Sequence, residues 1–560
     1  MILPTSLNEC FKLSMVCHWD LPCMSDYGLT TFQYKDVARM IEKLHILFEN
    51  AGIEKGDKIA LCGRNQSRWG IAFLAILTYG AVAVPVLHEF HPEQIHDLVN
   101  HSGARLLFVG DVVWKKLSPD EMPYLEGIIS NADYSVLISR SKKLTSAREN
   151  LNLLYGKRFP KHFDYSTIEY HHDDPNELAI INYTSGTTSN SKGVMIPYHA
   201  VWSNMKFAYE VFGDHAKEGD CILSMLPMAH TFGMSFEFLY EFIQGVHIHF
   251  LTRNPSPNIL MAALSKIKPR AIVCVPLIIE KMVRRAILPK ISKPEMKVLM
   301  KTPLVGKKLK KKICQKLLKA LGGNLYEVVI GGSALNREIE ALLHDIGFPY
   351  TVGYGATECS PIIAYEDWHD YAPFSCGKVV NRMEIEIDSS DPMNIPGEIL
   401  VKGMNLMSGY YKNDEATSQT IVNGWYHTGD LGVFDIDNNL YIKGRIKNLL
   451  LGSNGQNIYP EEIEDRLNSM PLVAESVVIQ HKEKLYGLVY PEPEAWKTFG
   501  LNGEEMDKLM EENRKLLNTQ VPAYQQLTAI YTVDEEFEKT PKKSIKRFLY
   551  TDYLDKLSKS

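Results

Sequence analysis

No two cysteines stand at C-x-x-C spacing, and the nine present in 560 residues are an odd number. Neither a disulfide framework nor a zinc pattern can be read from them, which predicts a reducing, cytoplasmic setting. An excess of positive charge is also missing. The 61 Lys and Arg against 67 Asp and Glu leave −6, so the chain as a whole is not a polycation built for nucleic acid. Met1 to Asp20 lacks the succession of basic, apolar and cleavage-site segments that marks an export signal. Internal repeats and low-complexity tracts are absent. Only one charge-free run, the nineteen residues from Trp69 to Leu87, is long enough to cross a bilayer. Within it, Gly80 falls where a helix from about Arg68 to Tyr79 would place its C′ residue, and the Ala-Val-Ala-Val-Pro-Val that follows reads as a buried strand. A helix and a strand inside a core are therefore expected there, not a spanning helix.

What is present is material for a large core: 45% hydrophobic residues, 10% aromatics and 23% charged residues. Apolar β-rich runs at Ala104 to Val109, Leu178 to Tyr183, Ala271 to Val275 and Glu327 to Ile330 alternate with helical patterns. That alternation predicts an α/β protein with largely parallel sheets covered on both faces, a class that binds ligands at the carboxyl ends of its strands. One stretch departs from the even charge balance. Lys281 to Ala320 holds fourteen Lys or Arg against one Glu, a net +13 that leaves −19 for the remainder. Two readings stand for it: a solvated helical face, or a surface drawn to anionic lipid headgroups.

The most informative segment is Ile181-Asn-Tyr-Thr-Ser-Gly-Thr-Thr-Ser-Asn-Ser-Lys-Gly-Val194, an apolar strand running into small polar residues and a lysine. Hydroxyls, glycine amides and an ammonium make an anion cradle, since they match the oxygens of a phosphate. It is not a Walker A loop, because Ser191 precedes Lys192 and Gly193 follows it. Alone it would also suit, less well, an ordinary Ser/Thr-rich surface loop. It is followed, however, by Gly331-Gly-Ser-Ala-Leu335, Gly353-Tyr-Gly-Ala-Thr-Glu-Cys-Ser-Pro361, Gly424-Trp-Tyr-His-Thr-Gly-Asp-Leu-Gly432, Gly444-Arg-Ile-Lys447 and Asn454-Gly-Gln-Asn-Ile-Tyr-Pro-Glu-Glu-Ile-Glu464.

In this order and spacing the motifs resemble the adenylate-forming superfamily of acyl-CoA synthetases, peptide-synthetase adenylation domains and firefly-type luciferases. Ser453 to Glu462, Pro227-Met-Ala-His230 and Lys546-Arg-Phe-Leu-Tyr550 are most similar to bacterial-type long-chain fatty acyl-CoA ligases. The resemblance implies an α/β fold with a large N-terminal AMP-binding domain of layered sheets and helices, residues 1–445, and a smaller mobile α+β C-terminal domain, residues 446–560. It implies an ATP-dependent ligase that makes an acyl-AMP and then a thioester with coenzyme A, using Mg²⁺. The alternatives are transfer to an acyl carrier protein, or a catalytically weakened homologue that only binds nucleotide and acyl group. Partners are then fatty acid, ATP and CoA, with carrier protein and a peripheral contact at the inner membrane face through 281–320 as further options.

The same resemblance assigns roles. Thr184, Ser185, Gly186, Thr187, Thr188 and Lys192 hold the β- and γ-phosphates, although Ser189 and Ser191 stand where glycine and proline are usual. Gly331, Gly332 and Ser333 pass beside the nucleoside, Tyr354 stacks on adenine, Thr357 meets the α-phosphate and Glu358 meets Mg²⁺. Asp430 accepts from the ribose hydroxyls, with Arg445 beside it. His230 sits at the mouth of the acyl pocket, a satisfied core histidine being its competing reading. Lys447 marks a hinge, and Gly455 lets the Ser453 to Tyr459 loop approach pantetheine. One departure remains: aligned on Thr540-Pro541 and Ile545, Ser544 occupies the place of the lysine that reaches the reacting carboxylate. Either Lys543, one residue early, substitutes for it through a local shift, which is the favoured expectation, or adenylation is impaired while thioester transfer survives.

Overall fold

The computed structural model describes residues 3–184, 191–252, 257–291, 294–452, 456–492, 503–540 and 545–557. The long apolar run folds inward. Helix Ser67–Tyr79 ends on Gly80, whose φ of 87° lets its N–H and that of Ala81 turn back onto the last carbonyls of the helix. The chain then enters strand Val82–Val86, every residue of which is buried. Among the described residues no helix is long and apolar enough to cross a membrane.

That strand lies in an eight-stranded sheet whose order runs Gly409–Tyr410, Gly193–Pro197, Leu178–Tyr183, Val82–Val86, Lys58–Cys62, Leu106–Val109, Gly127–Ser130, Val136–Ser139. Its middle pairs are parallel and its outer ones antiparallel. A second sheet sets Cys221–Ser224, His247–Phe250 and Pro22–Asp26 in parallel, edged by the antiparallel Thr31–Gln33. A third sets Ala271–Cys274, Glu327–Ile330 and Tyr350–Val352 in parallel over its own apolar core. Each expected strand is present, two of them shortened to Leu106–Val109 and Ala271–Cys274.

Parallel pairing gives way further along, returning only between Lys484–Pro491 and Leu527–Thr532 among the described residues. From Met383 onward the strands Met383–Asp388, Gly397–Gly403, Trp425–Phe434 and Leu440–Arg445 pair antiparallel. Met-Glu-Ile-Glu-Ile-Asp at 383–388 alternates apolar and acidic side chains, as a sheet with one wet face requires. A 3₁₀ turn, Ile446–Asn448, then leads to a distinct unit with its own core. In it Val473–His481, Lys484–Pro491 and Leu527–Thr532 form a sheet, with helices Pro460–Leu467 and Gly503–Gln520 packed beside it. The basic stretch is helical, chiefly Pro276–Ala286, Pro294–Lys301 and Pro303–Ala320. The last of these helices turns Cys314 and Leu317 inward and leaves most of its lysines exposed.

Candidate active site

A single cleft of 2930 Å³ gathers the ends of these sheets. Thr184 follows strand Leu178–Tyr183, Gly331 follows Glu327–Ile330 and Gly353 follows Tyr350–Val352, so three parallel strands deliver their carboxyl ends to it. Every described residue assigned from the sequence lines this cleft: Thr184, Lys192, His230, Gly331, Gly332, Ser333, Tyr354, Thr357, Glu358, Asp430 and Arg445. Ser185, Gly186, Thr187, Thr188, Gly455 and Lys543 lie outside the described residues.

On one wall the polar groups hold each other. Asp430 and Arg445 are cross-strand partners, and Arg445 Nε lies 2.9 Å from Asp430 Oδ1. The Tyr354 hydroxyl donates to the other oxygen, Oδ2, at 2.7 Å. Burial pushes the Asp430 carboxyl above its ordinary value despite the opposing Arg445 guanidinium. Burial and the adjacent Asp430 raise the Tyr354 phenol well above 10, so it stays a donor. Two bonds therefore aim the carboxylate, and its remaining lone pairs can accept from a diol.

Glu358 stands in a 3₁₀ turn, Thr357–Cys359, where Tyr410 donates to its Oε1 at 3.0 Å. Lys192 Nζ sits 4.5 Å from the centroid of that same Tyr410 ring. A carboxylate on the wall with an oriented oxygen and an ammonium beside it is a donor set that fits Mg²⁺ bound jointly with phosphate oxygens. A Cβ at Gly331 would stand 3.0 Å from the Phe232 ring, which would have to shift by a few tenths of an ångström to admit it. Gly332 has a φ of +91°, where the lack of a Cβ removes the strain.

The second wall is apolar and centres on His230, whose Nδ1 accepts from the Phe232 amide at 3.2 Å and caps the helix that begins at Thr231. That helix contains a π turn, Ser235–Leu239, a local widening often met at functional sites. Phe207, Phe212, Phe232, Phe236 and Tyr240 line the cleft beside it. The segment leading to His230 is fixed by three buried side chains that sequence reasoning missed as positioning groups. Asn65 donates to the Leu226 carbonyl at 2.6 Å and accepts from Met228 N at 2.9 Å. Asn182 donates to the Ala229 carbonyl at 2.9 Å. Glu237 Oε2 accepts from Met225 N at 2.9 Å and Leu226 N at 2.8 Å, while burial and the neighbouring Glu241 push its carboxyl well above the ordinary range. Only Asn182 left a trace in sequence, as a polar residue inside an apolar strand.

Residues after 445 close the cleft. Lys447, Asp465, Glu475, Lys539 and Thr540 line it. Asn336 Nδ2 donates to Ser469 Oγ at 2.9 Å and Lys443 pairs with Glu462 at 3.2 Å, tying this unit to the large one. Lys539 is held by Glu475 at 2.5 Å and also by Glu536, and Lys546 is held by Glu538 at 2.5 Å.

This geometry, a carboxylate pinned between an arginine and a tyrosine on a wall that also carries the Thr357–Glu358 turn, coincides with a family match over most of the sequence. The "AMP-binding enzyme" model matches residues 14–411, and the "AMP-binding enzyme C-terminal domain" model matches 447–559. The chain belongs to the AMP-binding enzyme family. Among family members, a long-chain-fatty-acid–CoA ligase of Escherichia coli is 27% identical over 503 residues, 85% of this chain and 82% of that protein. A 4-coumarate–CoA ligase of Narcissus pseudonarcissus is 26% identical over 548 residues, 94% and 90% of the two chains. The fold matches the crystal structure of the anthranilate CoA ligase AuaEII in complex with anthranoyl-AMP, with a TM-score of 0.79 and 18% identity over 100% of this chain and 99% of that one.

Proposed function

We propose that this family member is an ATP-dependent acid–thiol ligase acting on a fatty acid. The observation that carries the reading is the meeting of Tyr354, Thr357, Glu358, Asp430, Arg445 and Lys192 around one cleft whose other wall is aromatic. In the first step a carboxylate oxygen attacks the α-phosphorus of ATP and pyrophosphate leaves. In the second a thiol sulfur attacks the acyl carbonyl, its proton goes to solvent and AMP leaves. The residues here do no covalent chemistry. Asp430 orients the ribose, Arg445 and Lys192 offset charge on the phosphates, and Thr357 donates to the α-phosphate. Mg²⁺, held by Glu358, supplies neutralisation of phosphate charge.

The unit after residue 445 contributes the second-step surface, with Lys447 at its hinge and Lys543 as the cation of the first step. The Phe207–Phe212–Phe236 wall favours an apolar acid over a small polar one. Pyrophosphate release across acids from acetate to palmitate, with CoA or carrier protein offered separately, tests this reading. Release that rises with chain length and product formed on CoA are expected; activity confined to aromatic acids overturns the fatty-acid assignment. Lys543→Ala should slow pyrophosphate release sharply, and an unchanged rate removes that role.

One observation favours a membrane contact in addition. At the junction of helices Pro294–Lys301 and Pro303–Ala320, Val298 is 70% exposed and Leu304 82% exposed, beside the solvated lysines. Sedimentation with anionic vesicles should capture the protein and neutral vesicles should not. Equal recovery from both discards the contact.

A further inference from the structure

Away from the motif-bearing wall, parallel strands Cys221–Ser224 and His247–Phe250 bring three ligating side chains to one face of the second sheet. Cys221 is directly opposite His247, and His249 follows two residues on, so the pleat points all three the same way. One donor atom from each of Cys221, His247 and His249 lies within 4.8 Å of the other two. All three side chains are partly buried, and Cys221 borders the cleft.

The geometry points to a binding site for a zinc-class divalent cation formed by Cys221, His247 and His249, with the fourth position open to water or a solute in the cleft. Donors at about 2.0–2.3 Å from a tetrahedral cation stand roughly 3.3–3.8 Å apart, so side-chain rotations of about 1 Å close the set. One thiolate and two imidazoles form a soft to borderline set that suits zinc and disfavours magnesium. The outer contacts fit as well. Ser25, on the neighbouring strand, places its Oγ 2.7 Å from His247 Nε2, and Thr31 Oγ1 backs Ser25 at 2.7 Å. A hydroxyl on one ring nitrogen is the kind of partner that fixes the orientation of a metal-binding imidazole. The opposing term is Lys266, which lies over the Tyr27 ring near His249 and disfavours a cation. Deprotonation of Cys221 on binding adds a negative charge at the site and offsets it.

The strand that carries Cys221 runs on through Ser224 into the Met225–His230 segment, so a cation here braces the strand that leads to the apolar wall. This site is independent of the nucleotide wall and of Glu358, and its test needs no nucleotide.

Untagged full-length protein, stripped with a chelator, is titrated with Zn²⁺ alone by calorimetry and with Co²⁺ as an optical probe. One Zn²⁺ per chain is expected, together with a thiolate-to-cobalt charge-transfer band and a rise in melting temperature on adding Zn²⁺. Cys221→Ser should abolish the band, and His249→Asn should weaken Zn²⁺ binding at least ~10-fold. Cys17→Ser, which removes an exposed thiol elsewhere, should change neither. Melting curves recorded without metal confirm that each variant is folded. Absence of stoichiometric Zn²⁺ binding by the parent, or a cobalt band that survives in folded Cys221→Ser, overturns the site.

Discussion

The two walls of the cleft are built on opposite plans. On the wall proposed for the nucleotide the polar groups position one another: Tyr354 and Arg445 aim Asp430, and Tyr410 links Glu358 to Lys192. On the wall proposed for the acyl group the surface facing the cleft is largely aromatic; Asn182 and Glu237 hold the segment ending in His230 from behind it, while Asn65 holds the same segment from the cleft's own lining. The first plan suits a charged ligand, whose binding requires oriented charge. The second suits an apolar one, for which the wall turns mainly aromatic surface to the substrate.

The hardest test of this division falls on Glu237. Removing its carboxyl in Glu237→Ala orphans the buried amides of Met225 and Leu226, at about 1–3 kcal/mol each, and so is expected to destabilise the large unit by roughly 2–6 kcal/mol. Glu237→Gln keeps an acceptor oxygen and should stay close to the parent, because burial already favours the uncharged acid. Chemical denaturation followed by tryptophan fluorescence separates the pair. If Gln proves as damaging as Ala, it is charge and not acceptor geometry that holds this wall.

Asp430 should behave in the reverse way. Asp430→Asn preserves shape and one acceptor but deprives Arg445 of its counter-ion, so folding should barely change while kcat/KM for ATP falls ~10–100-fold, the worth of a charged hydrogen bond. Pyrophosphate-exchange kinetics beside a melting curve would show it. A variant that unfolds with no specific loss of nucleotide affinity would place Asp430 with Glu237, among the residues that merely hold the fold.

The same division explains what could be read from sequence. That Tyr354, Thr357, Glu358, Asp430 and Arg445 share one cleft was legible because they come in short motifs, the first three within five residues and the last two each beside a glycine. Core elements were legible too, Gly80 marking a helix end and Leu178–Tyr183 an uninterrupted apolar strand. The holders of His230 were not, since the bond from Asn65 to Leu226 joins positions 161 residues apart and such a contact leaves no periodic trace. The antiparallel sheet from Met383 was missed for another reason: its alternation at 383–388 was present but short, and the long apolar runs elsewhere dominated the pattern.

A buried carboxyl on each wall gives the subtlest contrast. Asp430 has Arg445 against it, whereas Glu241, which lines the cleft beside Tyr240, is buried with no ion-pair partner among the described residues and feels Asp220 instead. Burial first, and then the Asp220 charge, push Glu241 up to about 8. In the unfolded chain it ionises near 4.5, so between those values the unfolded state has already released a proton that the folded state retains. The stabilisation is complete below 4.5 and is lost as the pH rises through 8. From pH 6 to pH 7 this one group should remove about 1 kcal/mol, which in a unit this large lowers the melting temperature by about 1 °C. Glu327, also pushed up to about 8, and Asp465, pushed up to about 7, act with the same sign, so the parent's slope alone assigns nothing. The difference between parent and Glu241→Gln does. The amide cannot ionise, and its melting temperature should decline less over that interval by about the same 1 °C. Identical slopes in the two proteins would mean that Glu241 is already charged at pH 6, and that the apolar wall accommodates a bare carboxylate as readily as the wall across from it.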